Sequence, residues 1–477
     1  MRRSTVENMQ VPLTREGRRA AAAAWPDFRG RRRPAQPAAP GPQRQVMTDH
    51  PISRSQRRLN VPMFEEKTVR AHQDALFRQI KSYLPIRGQR IQISPALADA
   101  FFRFPRHAFV SGFRRPGAQA GAPVTPADPG FLAGAYENSP LMYVDEAGRM
   151  LPASSSEPAF ILHLAALLDV QPGQRVLEIG CGTGWLMALL SHLVGPEGHV
   201  TGVEINPRLH AEAVGNLRAQ GLANITVIAG DGFTACGPGT FDRLIMTASA
   251  YQLPHRLLTI LTEGGKAIIP IRNRGLAEEA HLLERRGDRL VSCITRLCKF
   301  VPVAGPSATG TPVIPLADDT AINRLRTAAL SRSAMAFGQE APGDMLRHAL
   351  PFTAFLSKVA PDFRAWSMGQ SGRGQLDVAV FGDPDNYGFG LVDETRGSAA
   401  IWHKGEVTAF GTPDAANALT LRLTEWVAAG RPSGFAFGLT VTAAGAAPPT
   451  DASTQLHRED RGDLTFWWHI RPPDLRL

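Results

Sequence analysis

Between residues 157 and 303, short apolar runs alternate with segments of helical period, and this alternation constrains the fold more than any other feature of the chain. Residues 175–180, 199–205, 225–229, 241–247 and 266–271 have the composition of buried strands. Residues 157–168, 184–194, 207–220 and 254–261 lie between them with helical spacing. Leu186, Leu189, Leu190 and Leu193, for example, fall on one side of a helix. Pro207 suits the first turn of the third of these helices. Strands that each lead into a helix pair in parallel, because a parallel neighbour needs a crossover. The predicted class is therefore α/β with a doubly wound sheet. Residues 282–286 and 290–301 read as an antiparallel pair that closes it.

The flanks differ in character. Residues 1–62 are rich in Arg, Ala, Pro and Gln and read as a disordered basic tail. Residues 63–134 read as a helical part, with one helix carrying Ala75, Leu76, Ile80 and Leu84 and a second over 95–104, followed by a Gly/Pro-rich loop over 112–133. The α/β core is assigned to 135–303, and a Gly/Pro/Ser/Thr linker to 304–312. Residues 313–477 hold five of the seven Trp and strand-like runs at 376–381, 398–402, 435–442 and 464–470 around a helix at 414–429. They read as a second, smaller α+β domain.

The net charge of +9 equals the charge of the tail alone, which has 13 Arg against 4 acidic residues. The remaining chain is balanced, and the tail holds only Trp25 and Phe28 as aromatics, so no nucleic-acid partner is expected. No apolar run approaches 18 residues, so no membrane partner is expected either. Cys181, Cys236, Cys293 and Cys298 show no metal-ligand spacing and too few thiols for a disulfide scaffold. No metal is expected, and a cytoplasmic, reducing setting fits.

Chemistry concentrates around Val176-Leu177-Glu178-Ile179-Gly180-Cys181-Gly182-Thr183-Gly184. A strand ends in a turn with glycines at 180, 182 and 184, and a helix follows. Such glycines let a ligand approach the backbone, and the helix start offers free N–H groups. The same spacing would serve a plain strand-to-helix turn. Glu204 ends the next strand, where an acid suits a ribose diol. Asp231-Gly232 ends the third, where a carboxylate can accept from the exocyclic amine of a purine. A helix-capping charge and an Asp-Gly turn are the alternative readings of those two sites. Together they suggest an adenosine ligand without a pyrophosphate, and S-adenosylmethionine more than a dinucleotide. The expected cofactor-binding residues are Glu178, Gly180, Gly182, Gly184, Glu204, Asp231 and Gly232.

From about residue 97 to 303 the chain resembles the protein-L-isoaspartate O-methyltransferase family. The resemblance rests on Phe104-Pro105-Arg106-His107-Ala108-Phe109-Val110, on Ala135-Tyr136-Glu137-Asn138-Ser139-Pro140-Leu141, and on Ser156-Glu157-Pro158 at the family's serine-X-proline. Residues 241–248, 264–270 and 300–302 resemble its last strands. The lead-in to the serine, residues 142–156, is longer than the compact family loop, so Ser154 or Ser155 can stand in register for Ser156.

The resemblance implies a Rossmann-like fold that binds S-adenosylmethionine (SAM). It also implies methyl transfer to the side carboxylate of an L-isoaspartyl or aspartyl residue in a protein or peptide, leading to a succinimide. A carboxylate of pKa about 4 is already anionic at neutral pH, so no general base is required. Ser156 is the expected catalytic residue, orienting that carboxylate, and capping the following helix is its structural alternative. Arg106 and His107 stand where they would meet the substrate backbone, with His107 the better candidate for simple packing. Protein repair is the first reading. A dedicated aspartate methyltransferase maturing a ribosomally made peptide is the second, suggested by the longer serine loop and the Trp-rich C-terminal region. A non-catalytic peptide-binding role for the C-terminal domain is the third. The sequence sets no oligomeric state.

Overall fold

The computed structural model describes residues 64–82, 92–116, 122–274, 278–310, 314–325, 329–334, 345–367, 387–403, 405–449 and 457–471. The basic tail and the strand expected at 376–381 lie outside the described residues. Five parallel strands stand in the order Ile225–Ala229, His199–Glu204, Arg175–Ile179, Phe241–Met246, Leu261–Arg272. The order reverses at Arg175–Ile179, whose neighbours are the second and fourth strands of the series. Ligands of open α/β sheets bind outside the carboxyl end of the strands at such a reversal.

Most helices that cross over between the parallel strands form where the sequence places them. Pro158–Leu168 begins on a proline and is apolar almost all round, with Ile161, Leu162, Leu164 and Leu168 buried. It stops at Asp169, whose φ of 54° is left-handed and breaks the helix. Pro207–Ala219 starts on the N-cap Asn206, whose side chain accepts from the N–H groups of Arg208 and Leu209. Its buried Leu209, Ala213 and Leu217 lie one turn apart. The helix expected over 254–261 shortens to Leu257–Ile260. The loop expected over 112–133 contains a short strand, Phe113–Arg114, and the helix Phe131–Ala135 begins near its end. The long serine lead-in is a β-hairpin, Leu141–Val144 with Met150–Ser155, paired to Phe113–Arg114 on its other edge.

The boundary expected at 312 does not separate two sheets. Glu278–Arg286 and Arg289–Cys298 form the predicted antiparallel pair, and the sheet continues beyond them with Phe437–Ala443, Leu464–Ile470 and His457–Arg461. Among the described residues this gives ten strands. The smaller α+β unit lies between Cys298 and Phe437. It is a six-stranded sheet with the helices Met345–Val359 and Asp414–Ala428. Strand alternation fixes which face is buried but not which distant edge a strand joins, so the return of 437–470 had no local signature.

The two parts share a core. Leu177, Leu244 and Ile269 of the parallel sheet belong to one buried cluster with Phe352, Trp426, Phe437 and Trp468. All five C-terminal Trp are buried, so their abundance is core packing. Polar groups are sealed into the same junction. Lys358 Nζ lies 3.0 Å from Glu279 Oε1 with both side chains inaccessible, and Asn273 donates to the other oxygen at 3.1 Å. Burial pushes the Glu279 carboxyl up, but Lys358 and His281 outweigh it and hold it below the usual carboxylate range. The buried Arg461 donates to the carbonyls of Tyr251 and Arg272 and to Glu459. Among the described residues, no helix is long and apolar enough to cross a membrane.

Candidate functional site

The carboxyl end of Arg175–Ile179 opens into a loop in which Gly180, Gly182 and Gly184 have φ of 86°, 55° and 92°. These left-handed values disfavour any side chain. At Gly184 a Cβ would also lie 3.1 Å from the Leu217 side chain, which would have to shift by a few tenths of an ångström to admit alanine. Trp185 then starts the helix Trp185–Val194. The Thr247 hydroxyl donates to the carbonyl of Gly180 at 2.6 Å and ties the loop to the next parallel strand.

Glu204 ends its strand facing this loop. Its Oε2 accepts from the N–H of Gly182 at 2.8 Å, and Oε1 accepts from the N–H of Asn206 at 2.8 Å. Both bonds favour the anion, yet burial outweighs them and raises its pKa. Asp231 and Gly232 follow the third strand. Asp231 accepts from Phe233 N–H at Oδ1 and from Ser307 N–H at Oδ2, each at 2.9 Å. A Cβ on Gly232 would collide with Ile179, so the third loop presses against the end of the first strand. The expected acids and glycines thus gather on one rim of the sheet.

Glu178 sits beneath that rim, 2% exposed. Its Oε2 is buried without a partner. Burial and the neighbouring Glu204 push its pKa well above the carboxylate range. An orphaned buried oxygen beside Glu204 and a glycine cradle fits a ligand that carries hydrogen-bond donors. Cys181, buried in the loop, has its thiol pushed well up by burial, which keeps it protonated and inert.

Ser156 lies between the hairpin and the helix Pro158–Leu168. The capping role open to it is filled by others. Glu157 is the N-cap residue, without a side-chain cap bond, and Asn138 Oδ1 accepts from the N–H of Ala159 at 2.9 Å. Asn138 Nδ2 in turn donates to Glu157 at 2.7 Å. Ser156 is half-buried, and its hydroxyl takes part in none of these bonds. Ser155 is buried, and its hydroxyl accepts from Arg106 Nε at 3.1 Å.

Arg106 does not reach out to a substrate. It is 1% exposed and donates to the carbonyls of Ala135, Glu137, Ser139, Ser155 and Ser156 at 2.9–3.2 Å. Burial lowers its pKa to about 10, so it stays charged at neutral pH. Its guanidinium also lies 5.7 Å over the ring of Trp185, next to Gly184. From the hairpin, Tyr143 meets the Thr183 hydroxyl at 2.9 Å. Two links therefore tie the serine segment to the glycine loop. His107 is packed, with Nδ1 2.8 Å from the Tyr136 hydroxyl and a pKa lowered by burial to about 4.

The sequence reading missed Asn138 as a remote cap, Tyr143 as a bridge, and Ser307, which lies in the expected linker. Arg106 carried a signal in its Pro-Arg-His setting, but nothing local told a buried clamp from a substrate contact.

A family model described as protein-L-isoaspartate(D-aspartate) O-methyltransferase matches residues 127–308. A protein-L-isoaspartate O-methyltransferase of Methanopyrus kandleri is 33% identical over 244 residues, covering 50% of this chain and 95% of that protein. One from Vibrio campbellii is 35% identical over 214 residues, covering 44% of this chain and 88% of the relative. A solved protein-L-isoaspartate O-methyltransferase structure aligns with 77% of this chain and 96% of its own, at 21% identity and a TM-score of 0.43. With nearly the whole of the Methanopyrus relative matched at that identity, the chain belongs to the protein-L-isoaspartate O-methyltransferase family.

Proposed function

We propose that the chain transfers a methyl group from SAM to the side carboxylate of an L-isoaspartyl residue in a damaged protein. The observation that carries this reading is the junction of a nucleoside-type rim with a free serine hydroxyl. Gly182 and Glu204 meet at the topological reversal of the sheet, and the chain beside Ser156 is clamped to the same loop by Arg106 and Tyr143.

In this reading Gly180, Gly182 and Gly184 let the cofactor lie against the backbone, Glu204 accepts from a ribose diol, and Asp231 and Gly232 border the base. Glu178, kept protonated by burial, offers its unpartnered oxygen from beneath. When bound, the cofactor supplies an electrophilic methyl on a sulfonium. The chain has no proton to remove, because the acceptor is already a carboxylate at neutral pH. Its task is to hold that oxygen in line at roughly 3–3.5 Å and to exclude water. Ser156 does this by donating from a neutral hydroxyl, which orients the oxygen without adding a charge that would blunt it. The methyl ester then loses methanol as the following backbone nitrogen attacks its carbonyl, giving a succinimide. The free thiols, three of them buried, suit a reducing compartment such as the cytoplasm.

The test is transfer of labelled methyl from SAM to paired peptides that differ only in Asp against isoAsp. The expected result is labelling of the isoAsp peptide alone. Labelling of neither overturns the reading. Labelling confined to one Asp-containing peptide replaces repair with maturation of a dedicated substrate.

A further inference from the structure

The segment expected to be a plain linker is seated on the rim. Val303 N–H donates to the Ser249 carbonyl at 2.9 Å, and Ala308 N–H to the Gly305 carbonyl at 3.1 Å, closing a turn. Within that turn the N–H of Ser307 reaches Oδ2 of Asp231. The Thr309 hydroxyl bonds Gln252, and Gly310 packs on the ring of Tyr251. Tyr251 in turn lies under the guanidinium of Arg461, 4.5 Å from its ring centre. The strap is thus anchored at one end on Ser249 and at the other on Gln252 and Tyr251, and the C-terminal Arg461 backs Tyr251 from its other side.

Its fit to Asp231 is close. Gly305 has φ of 105°, and a Cβ there would lie 3.0 Å from Asp231 Oδ2 and 2.5 Å from Ile205 Cδ1. Ile205, which follows Glu204, is an exposed apolar side chain on this rim, 39% accessible. A carboxylate offers about four lone-pair sites. Two backbone N–H groups, one on each oxygen, pin the Asp231 carboxylate and leave acceptor capacity on both. A carboxylate held this way accepts from an amine and repels a carbonyl oxygen.

We propose that the strap 303–310 is a specificity element for the nucleobase. Through the Ser307 N–H it holds Asp231 ready to accept from the 6-amino group of adenine, and so rejects hypoxanthine. The inference rests on the cofactor reading of this pocket and gives the C-terminal region an indirect part in it, because Arg461 backs the Tyr251 on which the strap packs. Gly305 and Ser307 are positioning residues acting through Asp231.

The test is calorimetric titration of the full chain with S-adenosylhomocysteine and S-inosylhomocysteine. The wild-type chain is expected to prefer the adenosyl compound by roughly tenfold or more, the worth of a hydrogen bond to a charged group. Gly305→Val, which crowds Asp231 and Ile205, and Ser307→Pro, which deletes the N–H, are each expected to collapse that preference to within about twofold, by weakening the adenosyl compound alone. Hydrogen exchange of the wild-type chain gives a readout that needs no variant: the Ser307 amide should exchange more slowly when S-adenosylhomocysteine is bound. Variants that weaken both compounds equally, or keep the full preference, overturn the inference, as does faster exchange at Ser307. A wild-type chain that binds neither compound overturns the cofactor reading and the inference with it. A chain that prefers adenine whatever the strap's sequence overturns the inference alone.

Discussion

The guanidinium of Arg106 holds the hydroxyl of Ser155 at 3.1 Å and the Ser155 carbonyl at 3.0 Å. One buried cation thus fixes the chain immediately before Ser156 and leaves the next hydroxyl free. The carbonyls of residues 135–139 converge on the same group from the other side. Replacing it leaves several buried acceptors unpaired. Arg106→Ala should therefore lower unfolding free energy by about 3 kcal/mol or more, and Arg106→Lys by less, as read from denaturant titration.

The three consecutive serines should separate by function. Ser156→Ala is expected to reduce turnover on an isoaspartyl peptide roughly ten- to hundredfold, with SAM affinity nearly unchanged. Ser155→Ala should cost about 1 kcal/mol of stability through its lost bond to Arg106 and keep most of the turnover. Full activity in the Ser156 variant would remove that hydroxyl from the mechanism.

Asn138 caps a helix from outside it, so its removal should behave as a cap deletion. Asn138→Ala is expected to cost about 1 kcal/mol. Asn138→Asp keeps an acceptor for the Ala159 N–H but sets a second carboxylate against Glu157, whose pKa burial already raises. It should be less stable than Asn138→Ala at pH 7 and recover as pH falls. Thermal melts of both variants across pH check the order.

Glu178 gives the cofactor-free protein a defined pH dependence. Its folded pKa lies above its unfolded value. Between those two values the folded state binds more protons, so stability falls as pH rises through that window. Glu178→Gln removes the penalty, and melting without cofactor should rise by roughly 2–4 °C at pH 8 with little change at pH 4. An equal gain at both pH values would show that the effect is packing. On the acid side, His107 and His163, each lowered by burial to about 4, act in the opposite sense. Their contribution is present above about pH 6.5 and lost as pH falls toward 4.

The sealed pair of Lys358 and Glu279 makes a separable claim. Lys358→Met strands a buried carboxylate and should cost about 3 kcal/mol or more. Adding Glu279→Leu should restore much of that loss, and a double-mutant cycle by chemical denaturation measures the coupling. A chain ended at residue 312 loses Lys358 as well as the strands that cover Arg289–Cys298. It should be recovered in aggregates rather than as folded protein.

The parallel sheet and its glycine loop were legible because each strand is apolar, each crossover is short, and the signals lie within a few residues of one another. The placement of Glu204 beside Gly182 followed from that order. What could not be read was non-local. Met345–Val359 escaped notice because Pro351 interrupts the helical pattern. The pairing of Leu290 with Val441 joins residues about 150 positions apart, and no periodicity records it. Arg106 was visible as a residue but not as a clamp, since five carbonyls from two separate segments satisfy it in place of a carboxylate.

The late return of Phe437–Ala443 to Arg289–Cys298 bears on how the protein is made. During synthesis the edge strand at 289–298 emerges long before the one that covers it. Until then it presents unpaired backbone to the crowded surroundings of the ribosome. A nascent chain stalled near residue 430 should accordingly recruit holding chaperones far more strongly than one stalled well past residue 470, a contrast that crosslinking on arrested ribosomes measures directly.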